Sequence, residues 1–237
     1  KFMIDYAIST FCYGQRYYEQ TNRLINELNK LSNPPKVFVV TDNPSKITNK
    51  DFVFKRNVDF YDKSYLNYEK NYYGFDFSVK RFSLRFALEN GFTNIILTDT
   101  DVLPSNRFND DSVMETFIEN SISGQVTYLF ENEVNTNSML GRRLLHYEKK
   151  FKTTVNKDKL WMPEDCIQFI SIEHNKFNLF LNTWDECIKI KYGDGLPNTP
   201  AGNIDEMCFS ALKNGIELHN NSNKHINLLI PHHDKWY

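Results

Sequence analysis

The chain has 237 residues, enough to bury one sizeable core. A composition of 41% hydrophobic and 24% charged residues excludes a disordered chain or a fibrous repeat. With 28 Lys and Arg against 30 Asp and Glu, the net charge is −2, and the basic surplus that a duplex-binding protein uses against phosphates is missing, so no nucleic acid is expected as a partner. The 19 Phe and 13 Tyr supply core mass and flat faces on which bases or sugars stack. Cys12, Cys166, Cys187 and Cys208 form no CxxC pair, which argues against a zinc knuckle or a dithiol redox site. Cys187 and Cys208 fall on apolar helical faces, as reduced thiols in a cytoplasmic setting would. No apolar run approaches the ~18 residues of a membrane span, so none is expected in this chain. No signal peptide is read. Lys1 is not an initiator methionine, which leaves an anchor upstream of it open.

In chain order, residues 3–11 read as a first strand. Leu24, Ile25, Leu28 and Leu31 make one helical stripe, stopped by Asn33, Pro34 and Pro35. Val37 to Val40 is a short apolar run typical of a strand buried on both faces. Phe52 to Val58 is a further strand, and residues 60–77 are Tyr-rich and mostly irregular. Val79, Phe82 and Phe86 space a helix that stops at Gly91. Ile95 to Thr98 is the clearest buried strand and runs straight into Asp99-Thr100-Asp101. Strands are expected at 125–130 and 166–172, with a helix at 138–150 between them. Phe177, Phe180, Leu181, Trp184 and Ile188 predict another helix. Residues 191–203, rich in Gly and Pro, read as a mobile loop that gates a site or rims an acceptor. A helix from Ile204 to Leu212 and a last strand to Ile230 complete the chain. Alternating strands and helices predict an α/β protein with a mostly parallel sheet flanked by helices, as one domain over 1–237.

Asp99 and Asp101 stand at the carboxyl end of a buried strand, where open α/β sheets bind their ligands. Two bare carboxylates there repel each other and call for a cation, and carboxylate oxygens suit Mn²⁺ or Mg²⁺. The alternative is a solvated turn. The stretch Phe82 to Pro104, FSLRFALENGFTNIILTDTDVLP, resembles the GT-A fold of nucleotide-sugar glycosyltransferases, in glycogenin-like and retaining galactosyltransferase-like families. The resemblance implies a GT-A, Rossmann-like mixed sheet, with a nucleotide-binding half at 1–104 and an acceptor-binding half at 105–237. It implies Asp101 as the primary metal ligand and Asp99 as the ribose contact that also reaches the metal.

The resemblance implies further roles. A late His in such families completes the metal shell, followed by Lys or Trp near the diphosphate; here these are His232, with His233 second, then Lys235 and Trp236. The alternative is a surface tail. Thr10, Phe11 and Tyr13 end the first strand, where the base and ribose are cradled; Tyr13 is equally a core residue. Among Lys80, Arg81 and Arg85, Lys80 is the choice for the diphosphate, against a solvated helix face. Glu164 and Asp165 are expected to face the acceptor, Asp165 also the reacting sugar. Asp205 and Glu206 open the helix after the loop and are candidate catalytic acids beside the sugar, against the plain alternative that acids favour a helix N-terminus.

The expected activity is metal-dependent transfer of a sugar from a nucleotide sugar, a UDP-sugar first, to a hydroxyl of a glycan acceptor, with retention favoured over inversion. Two other functions compete. A haloacid-dehalogenase-type phosphatase would use Asp99 as nucleophile, but about a hundred residues precede the motif and no later Gly-Asp-x-x-x-Asp follows. A non-catalytic sugar-binding module needs no convergent acids.

Overall fold

Alternate residues of the first strand face opposite sides of the sheet. In β1, Ala7–Cys12, every residue is buried, with Ala7 and Phe11 in one apolar cluster and Ile8 and Cys12 in another. A strand covered on both faces needs helices on both sides. The computed structural model describes residues 5–58, 79–124, 139–156, 167–196, 204–220 and 228–231.

The elements that follow β1 are α1 (Gln15–Leu28), β2 (Lys36–Thr41), a 3₁₀ turn at Pro44–Lys46, β3 (Val53–Asn57), α2 (Lys80–Glu89), β4 (Asn94–Thr98), β5 (Val102–Pro104) and the short α3 (Asp110–Met114). Then come β6 (Ser121–Gly124), α4 (Met139–Phe151), β7 (Ile167–Ser171), α5 (His174–Gly193), α6 (Ile204–Lys213), β8 (Glu217–Asn220) and β9 (Leu229–Pro231). Seven strands form one sheet in the order β3-β2-β1-β4-β7-β6-β8, and β5 pairs with β9 in a small second sheet. Within the seven, β7 runs antiparallel to both its neighbours and the other pairings are parallel. The expected mixed, mostly parallel α/β sheet is therefore present, and it takes strands from both halves of the chain.

The two faces have different covers. Leu24, Ile25 and Leu28 of α1 pack with Ile8, Val37, Val39 and Ile96 on one side. On the other, Leu84 and Ala87 of α2 meet Phe177, Phe180 and Trp184 of α5 and Met207 of α6. Aromatic mass fills this second layer: the Phe38 ring stacks on Phe54 at 5.0 Å and meets Phe86 edge-on at 5.1 Å.

The winding fixes where a ligand fits. From β1 the chain winds outward through β2 to β3, then returns over the opposite face by α2 to place β4 on the other side of β1. The carboxyl ends of β1 and β4 therefore flank a topological switch point, the crevice where open α/β sheets take ligands. Several boundaries differ from expectation. The strand expected at 125–130 lies outside the described residues, directly after β6. The loop expected from 191 begins later, because α5 continues to Gly193. Residues 197–203, the rest of that loop, and the Tyr-rich segment 60–77 lie outside the described residues.

Candidate functional site at the β1–β4 switch

The Asp99-Thr100-Asp101 motif is the link between β4 of the main sheet and β5 of the small one. Each residue of the link has its own environment. Asp99 forms an ion pair with Lys80, Oδ1 to Nζ at 2.9 Å, and Lys80 is 4% exposed. The reason is local geometry. Helix α2 turns at Gly91, where φ is +90°, and enters β4, so its first residue returns to the carboxyl end of that strand. Ser83 then allows close approach, its hydroxyl lying 2.7 Å from that of Ser9 on β1. Thr100 points the other way: its hydroxyl donates to Gln20 Oε1 on α1 at 2.8 Å, with both side chains buried. Asp101 remains partly exposed. The motif is thus fastened to helices on both faces of the sheet.

This corrects two expectations. The carboxylates are not both bare, because Lys80 neutralises Asp99. The basic residues of α2 do not form a solvated face either. Arg81 and Arg85 both pair with Asp185 of α5, through its two carboxylate oxygens, and so clamp the two helices together rather than face the motif.

The small sheet brings the end of the chain to the same place. In its antiparallel register Val102 pairs with Pro231 and Leu103 with Ile230. Pro231 precedes His232, and Val102 follows Asp101. His232, Lys235 and Trp236 themselves lie outside the described residues, as do Glu164 and Asp165. Among the described residues, no three His, Cys, Asp or Glu side chains gather as a metal cage.

The end of β1 carries three of the expected donor-binding residues. Thr10 is fully buried, and Phe11, 5% exposed, belongs to the apolar core there. The Lys80 ammonium lies 5.9 Å from the Phe11 ring centroid. Tyr13 is partly exposed and packs against the core margin. Gly14, at φ +79°, turns the strand directly into α1. Nearby, Tyr18 donates to Asp42 at the end of β2 at 2.6 Å. Burial, with that bond, pushes the Tyr18 phenol up to about 12.

Asp205 and Glu206 have a different setting from a solvated first turn. Helix α6 enters β8 through a tight turn at Gly215, so its first turn lies at the carboxyl end of β8. That strand is parallel to β6, and β6 and β4 both run antiparallel to β7, so the pair shares the sheet edge of the DxD motif. Both side chains are buried among Arg143 and Tyr147 of α4 and Lys191 of α5. Burial and the neighbouring Glu206 raise the Asp205 carboxyl to about 6, against the pull of Arg143 and Lys191. Burial likewise pushes the Tyr147 hydroxyl far up, so it stays protonated and donates to Glu206 at 2.6 Å.

Sequence reasoning missed Gln20, Ser83, Arg143, Tyr147 and Lys191. Only Lys191 carried a signal, as a cation directly after the apolar stripe of α5. Among the described residues, no helix is long and apolar enough to cross a membrane. No protein-family model matches the chain, and no curated protein matches it.

Proposed function

We propose that the chain is a metal-dependent glycosyltransferase of the GT-A type, moving a sugar from a nucleotide sugar, a UDP-sugar first, to a hydroxyl of a glycan acceptor with retention. The observation that carries this reading is the position of Asp99 and Asp101 at the carboxyl end of β4, at the switch point beside β1. The donor set fits a hard divalent cation: carboxylate oxygens of two partly exposed aspartates, with the segment leading to His232 paired alongside. Asp101 would be the primary ligand, Asp99 the second and His232 the third. When bound, Mn²⁺ or Mg²⁺ supplies Lewis-acid neutralisation of the departing diphosphate.

The chain's own residues do the rest. Lys80 holds the Asp99 carboxylate in one orientation and cancels part of the repulsion that an incoming diphosphate meets. Gln20 fixes the peptide between the two acids through Thr100. In this reading Lys235 and Trp236 would close over the diphosphate, and Glu164 and Asp165 would face the acceptor. Asp205 and Glu206 are the candidate catalytic acids at the same sheet edge, with their charge balanced by Arg143 and Lys191. The reading includes an intracellular setting, which suits buried thiols such as Cys12, pushed up to about 11 by burial and so protonated and unreactive.

The test is release of the nucleoside diphosphate from a panel of nucleotide sugars, with Mn²⁺ and with chelator. Metal-dependent release that Asp101→Asn abolishes supports the reading. Release of inorganic phosphate from simple phosphate monoesters instead would assign a phosphatase.

A further inference from the structure

Away from the DxD motif, five charged or polar side chains meet in the interior between α4, α5 and α6. Arg143 is 4% exposed, Lys191 1%, Asp205 3% and Glu206 0%. Two cations thus face two carboxylates out of water. The guanidinium of Arg143 spans both acids: Nε lies 3.2 Å from Asp205 Oδ2, and Nη1 lies 3.4 Å from Glu206 Oε1. Tyr147, one helical turn further along α4, donates its hydroxyl to that same Glu206 oxygen at 2.6 Å. Lys191 Nζ stands 3.8 Å from it. Glu206 Oε2 and Arg143 Nη2 are buried without a hydrogen-bond partner among the described residues.

Such a cluster is costly as a stabilising device. Apolar residues of similar volume often serve a core as well or better than a buried ion group. A second tie between α4 and the end of α5 already exists nearer the surface, where His146 and Lys150 both meet Asp194 at 2.7 Å. The buried cluster therefore does something the packing does not need: it fixes the direction of two carboxylates.

We propose that Arg143 is the positioning residue of the Asp205–Glu206 pair, spanning both carboxylates and fixing their direction, with Tyr147 locking the Glu206 rotamer. This rests on the proposed transfer reaction for its purpose, but not for its geometry. The groups that face Asp205 are Glu206 and the Cys208 thiol on its own helix, Arg143 from α4 and Lys191 from α5. Glu206 and burial oppose ionisation of Asp205, and the two cations favour it. Removing the nearer cation leaves burial and Glu206 less opposed, so the carboxyl of Asp205 takes up its proton at higher pH.

The experiment has two arms. In the first, ¹³C NMR follows the Asp205 carboxyl through a pH titration of the free protein, for wild type, Arg143→Gln and Arg143→Lys, with Asp205→Asn for assignment. Arg143→Gln is expected to raise the midpoint by one pH unit or more, and Arg143→Lys, which keeps the charge, to leave it within half a unit. In the second arm, nucleotide-sugar turnover is followed against pH. Arg143→Gln should lose about threefold in kcat near pH 6.5 with KM for the donor unchanged, approach a tenfold loss below about pH 5.5, and recover most of it above pH 8, as a tenfold gain in the proton affinity of Asp205 requires. Arg143→Lys should lose kcat evenly across pH, because one ammonium cannot span both acids. An unshifted midpoint in folded Arg143→Gln, or a pH-independent loss in that variant, would overturn the proposal. If Arg143→Gln does not fold, the lysine variant decides: wild-type kcat at every pH would overturn it. A shifted midpoint with no turnover of any nucleotide sugar would remove the transferase reading and leave the positioning role standing.

Discussion

Both carboxylates of the DxD motif stand partly in solvent, and Asp99 has a buried cationic partner in Lys80. Replacing Lys80 by Met takes the buried ammonium away from Asp99. Breaking a buried pair costs roughly 3–5 kcal/mol, and the low end, about 3 kcal/mol, is expected because Asp99 keeps 26% of its side chain exposed. Chemical denaturation measures this, and Mn²⁺ should restore more stability to Lys80→Met than it adds to wild type, since the ion then supplies the missing positive charge. Asp101→Asn, by contrast, should leave stability within about 0.5 kcal/mol, as surface substitutions do, while removing metal-dependent nucleotide binding. Asp99 and Asp101 were legible in the sequence because an apolar run delivers them to a strand end. The role of Lys80 was not, because a lysine on a helix looks solvated until the turn at Gly91 folds it back onto Asp99. The same holds for Arg81, whose partner Asp185 lies 104 residues away.

Helix α6 is the element where charge and packing conflict most directly. Its first-turn acids are enclosed rather than solvated, and the raised Asp205 carboxyl has a measurable consequence for folding. A carboxyl titrating near 6 in the folded chain and near 3.8 in the unfolded one binds its proton more tightly when folded. Its contribution to stability is therefore full below about pH 4 and is lost as pH rises through 6. Relative to Asp205→Asn, wild type should lose about 3 kcal/mol between pH 3 and pH 7, read from denaturant melts at each pH. A flat difference would mean that Asp205 is as free to ionise in the folded chain as in the unfolded one. The helix itself was legible from the spacing of Ile204, Met207, Cys208 and Ala211. Its buried neighbours were not, since nothing in the spacing of Arg143 and Tyr147 distinguishes an inward ion cluster from an outward polar face. The extension of α5 to Gly193 was missed for a related reason: Lys191 and Gly193 read as loop composition, but Lys191 is a core cation facing Glu206. The short elements β5, α3 and β8, of three to five residues, carry too few positions for any period to show.

Across the whole molecule, the sheet order and the small β5–β9 pair converge on one edge. The mixed, mostly parallel architecture was legible from the alternation of strand and helix, but the reversal of β7 was not, because a strand buried on both faces has the same composition in either direction. The pairing of Pro231 with Val102 gives the chain end a reason to matter. Deleting residues 232–237 should weaken Mn²⁺-dependent nucleotide binding about tenfold or more without unfolding the sheet, which calorimetry and circular dichroism together check. Undiminished binding in the truncated chain would confine metal ligation to the aspartates. The most direct measurement is isothermal calorimetry of UDP with wild type and Asp101→Asn, each in Mn²⁺ and in chelator. The expected result is tight binding only for wild type with Mn²⁺, at least tenfold above the other three conditions. Equal affinity with and without metal, or an Asp101→Asn variant that binds as wild type does, would contradict a metal-bridged nucleotide site at the end of β4.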